Sequence, residues 1–146
     1  MKVLILGGTG WIGSNIVAQR PSWSWTVLGS KDADLTDPAS TNKITGDYDI
    51  VINSAGFYGG LVFNQQHQQE ILYKNVSMTV NIWNLVQRLQ PKKFINIGSA
   101  CLYPKDAVNF MNESLIGSTN YHDSIKFSAM SKHIQYEIID SLGIDW

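Results

Sequence analysis

The stretch KVLILGGTGWIG, residues 2–13, constrains this chain more than any other. It opens with a continuous apolar run closed by glycines, the pattern of a strand buried on both faces of a parallel sheet. Gly7, Gly10 and Gly13 then recur at every third position. Glycines so placed let the chain turn sharply, let backbone approach a pyrophosphate, and let a helix pack close to the strand it follows. The helix opening there offers unpaired N–H groups and the positive end of its dipole. Strand, glycine turn and helix in that order are the setting in which such a turn binds a dinucleotide. The alternative is an ordinary tight βα turn with no ligand.

The rest of the chain repeats the alternation. Further strands are expected at residues 25–29, 48–56 and 93–99. Helices are expected at 11–20, stopped by Pro21, and at a short turn with Asp37 as N-cap and Pro38 in first position. A longer helix is expected at 69–89, where Leu72, Val76, Val80, Trp83 and Val86 recur at helical spacing. A last one is expected at 124–142, with Phe127, Met130, Ile134, Ile138 and Leu142 in the same rhythm. Strands alternating with helices predict βαβ units on a parallel sheet. The irregular segment from Cys101 to Asp123, carrying Pro104, Asn109, Asn112, Gly117 and Asn120, reads as a surface segment over a site. At the end, Gly143 follows a helix and residues 144–146 read as a strand beginning. The 146 residues are therefore expected to be one domain of a longer protein.

Composition removes several function classes. Hydrophobic residues make up 44% and charged residues 16%, as in a folded globular domain. The net charge of −1 gives no electrostatic footprint for nucleic acid or for an anionic membrane. The N-terminal apolar run is too short to span a bilayer and lacks the features of a signal peptide. Cys101 is the sole cysteine, so no internal disulfide forms, and a cytoplasmic location is expected. No metal site is expected.

The end of the second strand bears on the cofactor. A carboxylate there takes the ribose 2′-hydroxyl, whereas a basic side chain accommodates a 2′-phosphate. The residues are Gly29, Ser30 and Lys31. Lys31 either meets a phosphate, which favours NADP, or is a solvated loop lysine, which leaves NAD open. Asp32 and Asp34 stand slightly further on, where a carboxylate faces the adenine.

The motifs GGTGWIG, DADLTD, FYGGLVFN, YKNVSMTVN, NIGSACLYP and a lysine-bearing helix occur in that order. The set resembles the extended short-chain dehydrogenase/reductase family over essentially the whole chain. GSACLYP and GGLVFN resemble its GDP-L-fucose synthase branch. The resemblance implies an α/β Rossmann-type fold over residues 1–146, a doubly wound parallel sheet holding NADPH. The smaller C-terminal domain that grips the nucleotide-sugar substrate would lie outside the chain. It implies 3,5-epimerisation and 4-keto reduction of a GDP-4-keto-6-deoxy sugar. It also implies a homodimer paired through two helices, one of them the lysine-bearing helix. Matched position by position, Gly7, Thr9, Gly10, Trp11, Ile12 and Gly13 form the phosphate turn. Asp34 and Leu35 lie at the adenine, and Ala55 and Gly56 beside the nicotinamide ribose. Ser99 meets the 4-keto oxygen, Cys101 moves protons, and Lys132 holds the ribose and lowers a tyrosine's pKa. The histidine that partners the cysteine would fall beyond residue 146; His67, His122 and His133 are not at its position.

One position departs from the pattern. Ser128 stands four residues before Lys132, where the family has tyrosine. Four residues apart on a helix, the two share a face, distinct from that of Phe127, Met130 and Ile134, which are expected to pack inward. A phenol has an ordinary pKa of about 10, and a nearby ammonium lowers it. A serine hydroxyl is shorter and far less acidic. The chain is then either an enzyme with a different acid or a dinucleotide-binding protein without the chemistry. Tyr121, in the preceding loop, is a candidate if that loop folds over the site. Tyr103, within the matched motif, need not be catalytic.

Overall fold

Among the described residues, the apolar runs become four parallel strands: β1 (Lys2–Leu6), β2 (Ser24–Leu28), β3 (Ile50–Asn53) and β4 (Lys93–Asn96). The structure is a computed structural model that describes residues 1–107, 111–117 and 120–143. The sheet order is β2-β1-β3-β4. In register, Leu6 pairs with Leu28 and Asn53, and Asn53 with Asn96, so the strands end level. This makes β3 and β4 shorter than residues 48–56 and 93–99. Beyond Leu6 the chain turns away at Gly7, so the apolar residues further on have no ladder to join.

Helices α1 (Trp11–Gln19), α2 (Pro38–Thr41), α3 (Leu61–Gln66), α4 (Gln68–Leu89) and α5 (Lys126–Asp140) cover the sheet. The Asp37 carboxylate caps α2 by accepting the Ala39 N–H at 2.9 Å, with Pro38 in first position, as expected. Side chains alternate across β1. Val3 and Ile5 pack with Ile52 against Ile16 and Val17 of α1. Leu4 and Leu6 pack with Val51 and Phe94 against Ile82, Leu85 and Val86 of α4 and Ile139 of α5. The sheet is thus wound on both faces. Its amino-terminal edge is tied by Asp49. That carboxylate accepts the Lys2 N–H at 2.8 Å and the Lys92 ammonium at 2.7 Å, and its backbone N–H donates to Lys2 O at 2.9 Å.

The inward face of α5 differs from the expected one, and that of α4 is partly polar. On α4 the buried residues are Ile71, Asn75, Thr79, Asn81, Ile82, Leu85 and Val86, while Val80 is exposed. On α5 they are Ser128, Ala129, Ser131, Gln135 and Ile139; Phe127, Met130 and Ile134 are only partly buried. Both helices are apolar on two sides, and α5 buries its small polar side so that it can pack closely. The outer apolar residues, Leu72, Val76, Val80, Phe127 and Ile134 among them, line an open groove of about 680 Å³ across α4 and α5.

One-turn 3₁₀ helices at Ala100–Leu102, Glu113–Leu115 and Asp123–Ile125 punctuate the segment read as irregular. Asn109 and the strand expected at 144–146 lie outside the described residues. Among the described residues no helix is long and apolar enough to cross a membrane, and no cluster of His, Cys, Asp or Glu is disposed to hold a metal ion.

Candidate functional site

The chain leaves β1 toward β2 on one side and β3 on the other, so the carboxyl ends of β1 and β3 flank a topological switch point, where ligands bind in open α/β sheets. A groove of about 420 Å³ lies there, lined by Gly7, Thr9 and Gly10, by Gly29 and Ser30, by Asp34 and Leu35, and by Ala55 and Gly56. Lys74 of α4 also lines it and was not foreseen. Trp11, Ile12, Gly13 and Lys31 are not among the lining residues. Trp11 and Ile12 stand exposed at the start of α1, and Lys31 is exposed beside Ser30.

The glycine turn is built as its spacing demands. Gly7 has φ +73°, and a Cβ there would stand 2.7 Å from both the Cα and the N of Ala55. Gly13 packs beneath it; a Cβ there would lie 2.5 Å from the Gly7 carbonyl oxygen. The Gly10 N–H closes the turn on the Gly7 carbonyl at 3.0 Å. Gly10 caps α1 without a side-chain acceptor, so the first-turn N–H groups gain no partner from the cap. This cradle has the shape and polarity that a pyrophosphate needs.

Polar side chains hold the other walls, Asp32 and Asp34 exposed at the rim and Asn75 and Asn81 buried beneath it. Asp32 accepts the Gly29 N–H at 2.8 Å and closes the end of β2. Asp34 accepts the Thr36 hydroxyl at 2.7 Å and its N–H at 2.9 Å. These bonds, the hydroxyl first, hold the Asp34 carboxyl below the usual carboxylate range. Asn81 donates to the Leu35 carbonyl at 2.9 Å. Asn75 accepts the Phe57 N–H and donates to the Phe57 carbonyl, both at 2.9 Å, clamping the turn after β3.

Beyond the carboxyl end of β4 lie the residues expected to carry the chemistry. Ser99 caps the turn at Ala100–Leu102, its Oγ accepting the Cys101 N–H at 3.2 Å. Cys101 is a half-buried free thiol. Lys132 reaches from α5 to donate to the Ile97 carbonyl at 2.8 Å and to Gln135 Oε1 at 2.9 Å. Burial pulls its pKa down to about 8, against a smaller opposing pull from charge on Cys101. Ser128 is buried on the same helix, and its carbonyl accepts the Ser131 hydroxyl at 2.8 Å. The Tyr121 hydroxyl bonds His133 on the next face of α5, and His133 in turn bonds Glu137 at 3.2 Å. Tyr121 is therefore not folded over Ser128 and Lys132.

Sequence reasoning missed Tyr58. Its hydroxyl lies 3.0 Å from Ser131 Oγ, and the Lys132 ammonium lies 5.7 Å from its ring centroid. Tyr58 is 37% exposed as a residue, yet desolvation around its hydroxyl pushes its pKa up to about 12, the Ser131 bond pulling the other way and charge on Cys101 adding to the rise. The usable signal was a phenol two residues past Gly56, inside a motif already matched to the site.

These two shifts act on stability in opposite senses. Between pH about 8 and 10.5, unfolded Lys132 holds a proton that the folded chain has released, so stability rises with pH. Between pH 10.0 and about 12, folded Tyr58 keeps a proton that the unfolded chain loses, so stability falls. Guanidinium midpoints measured across this range are expected to lose the rise in Lys132→Met and the fall in Tyr58→Phe, each relative to the unsubstituted chain.

The sequence matches the NAD dependent epimerase/dehydratase family over residues 3–143. It is 29% identical over 120 residues to GDP-L-colitose synthase of Yersinia pseudotuberculosis, covering 80% of this chain and 39% of that protein. It is 30% identical over 130 residues to a probable GDP-L-fucose synthase of Drosophila melanogaster, covering 84% and 40%. Its fold superposes on a GDP-L-fucose synthetase from Naegleria fowleri bound to NADP with a TM-score of 0.78 at 27% identity, covering 97% of this chain and 43% of that one. The GDP-mannoheptose C4 reductase of Campylobacter jejuni with NADP bound, 19% identical, shares the fold at a TM-score of 0.85 over 96% of this chain and 46% of that one. The chain thus spans less than half the length of these relatives. With a parallel, doubly wound sheet and a glycine turn at its switch point, the chain belongs to the NAD dependent epimerase/dehydratase family.

Proposed function

We propose that this chain is the NADP-binding domain of a two-domain enzyme that epimerises and reduces a GDP-4-keto-6-deoxy sugar. The observation that carries the reading is the pairing of a dinucleotide-shaped groove at the switch point with Ser99, Cys101 and Lys132 at the carboxyl end of β4. Gly7, Thr9, Gly10, Trp11, Ile12 and Gly13 would hold the pyrophosphate, Asp34 and Leu35 the adenine, and Ala55, Gly56 and Lys132 the nicotinamide ribose. Lys31 would meet the 2′-phosphate. The absence of a carboxylate at residues 29–31 and the NADP bound to the Naegleria and Campylobacter proteins support NADP over NAD.

When bound, the reduced nicotinamide supplies a hydride. The chain's own residues position and move protons. Ser99 Oγ accepts from the Cys101 N–H, which leaves its O–H to donate to a substrate carbonyl. The Cys101 thiol exchanges protons at carbons beside that carbonyl. The single free cysteine supports a reducing, cytoplasmic setting, and the apolar groove across α4 and α5 supports pairing of two copies there, which sedimentation at increasing concentration checks. A second reading, a dinucleotide-binding protein without the chemistry, is favoured by one observation: the buried side chain at position 128 is a serine.

Calorimetry of the chain tests the cofactor. NADP⁺ is expected to bind about tenfold more tightly than NAD⁺, a gap of about 1.4 kcal/mol that Lys31→Ala narrows. A chain that binds neither sinks the proposal. Oxidation of NADPH by the whole protein in the presence of GDP-4-keto-6-deoxymannose rules out the second reading.

A further inference from the structure

Resting on the reductase reading above, we propose that Tyr58 supplies the phenolic proton donor that Ser128 does not. Three observations place it. A Cβ added to Gly56, which lines the groove, would stand 2.6 Å from Tyr58 Cε2, so the ring lies against the groove wall. The hydroxyl lies 3.0 Å from Ser131 Oγ. Ser131 spends its own proton on the Ser128 carbonyl at 2.8 Å, so the phenol donates in that pair. The Lys132 ammonium lies 5.7 Å from the ring centroid, and charge on Cys101 acts on both Tyr58 and Lys132. Tyr58 thus stands beside Ser131 and Lys132 on α5 and reaches them from the turn after β3. Serine at 128 and 131, one turn apart on α5, leaves room for the ring.

The step balances. Reduced nicotinamide dinucleotide delivers a hydride to the carbonyl carbon of a sugar ketone and is oxidised. The C=O π pair moves to oxygen. The Tyr58 O–H bond breaks as its proton joins that oxygen, so the ketone becomes an alcohol and Tyr58 a phenolate. The Ser131 hydroxyl turns from the Ser128 carbonyl to the phenolate, the Lys132 ammonium steadies the charge, and water returns the proton. A phenol, neutral at about pH 7, starts the step in the required form and is still a far stronger acid than the alcohol it makes.

Two measurements test it. In the chain carrying [13Cζ]tyrosine, with the Tyr58 signal assigned from Tyr58→Phe, both NADP⁺ and Lys132→Met are expected to move that signal. In the whole protein, Tyr58→Phe is expected to lower kcat for ketone reduction about a hundredfold or more, with the Kd for NADPH within about twofold. Adding Ser128→Tyr to Tyr58→Phe is expected to restore the rate. A Tyr58→Phe protein as fast as the unsubstituted one overturns the proposal. So does a Tyr58 signal indifferent to Lys132→Met, or reduction that begins only when Ser128→Tyr is introduced. Failure to bind NADP⁺ sinks the functional reading itself, whereas NADP⁺ binding with an inert Tyr58 sinks only this assignment.

Discussion

Gly7→Ala is expected to lower the unfolding free energy by about 3 kcal/mol and to weaken NADP⁺ binding about a hundredfold or more. The first loss has two sources. Alanine is strained at φ +73°, and its Cβ would meet the Ala55 Cα and N, backbone atoms that do not swing aside. Relief requires the turn after β3 to move outward, and that turn is a wall of the groove. The binding loss follows from that movement. Guanidinium unfolding and calorimetry measure the two. Gly60→Ala is the control, because its φ is not in the left-handed region and a Cβ there meets nothing within 4 Å. Unchanged binding in Gly7→Ala would place the dinucleotide elsewhere than in this groove.

Asn75→Leu is expected to cost a similar amount, about 3 kcal/mol, by leaving the Phe57 N–H and carbonyl without partners. Asn75→Asp keeps an acceptor for the N–H but sets a buried carboxylate oxygen against the Phe57 and Ile71 carbonyls, so a loss at least as large is expected. Urea unfolding measures both variants. An Asp variant as stable as the unsubstituted chain would mean that the carbonyl bond contributes nothing. The Leu variant also frees the turn that presents Tyr58, so Tyr58 should lose its bond to Ser131.

The strands and the glycine turn were legible because each is a local pattern. An apolar run ending in glycine can only be placed so many ways. The inward faces of α4 and α5 were not. Leu72, Val76 and Val80, like Phe127 and Ile134, are as apolar as any core stripe, yet they face the open groove. The buried stripe is partly polar, with Asn75, Thr79, Ser128, Ser131 and Gln135. Periodicity counts apolar residues and so selects the wrong side when both sides have them. The six residues of α3 are too few for any period to register. Ser99, Cys101 and Lys132 were singled out by their motifs, not by physics alone. Tyr58 escaped because what singles it out is a contact with Ser131, 73 residues away in the chain.

Asp49 gives the sheet an asymmetry with a consequence for how such a chain diversifies. One carboxylate ties the amino-terminal ends of β1 and β3 to the approach to β4, at the end of the sheet opposite the switch-point groove. Strand register is thereby secured far from the residues that touch ligands. Side chains at the opposite rim can then be exchanged, or a phenol moved from one segment to another, without disturbing the scaffold. A serine at position 128 is the kind of change this arrangement tolerates: chemistry drifts along one rim while the other keeps the strands in step.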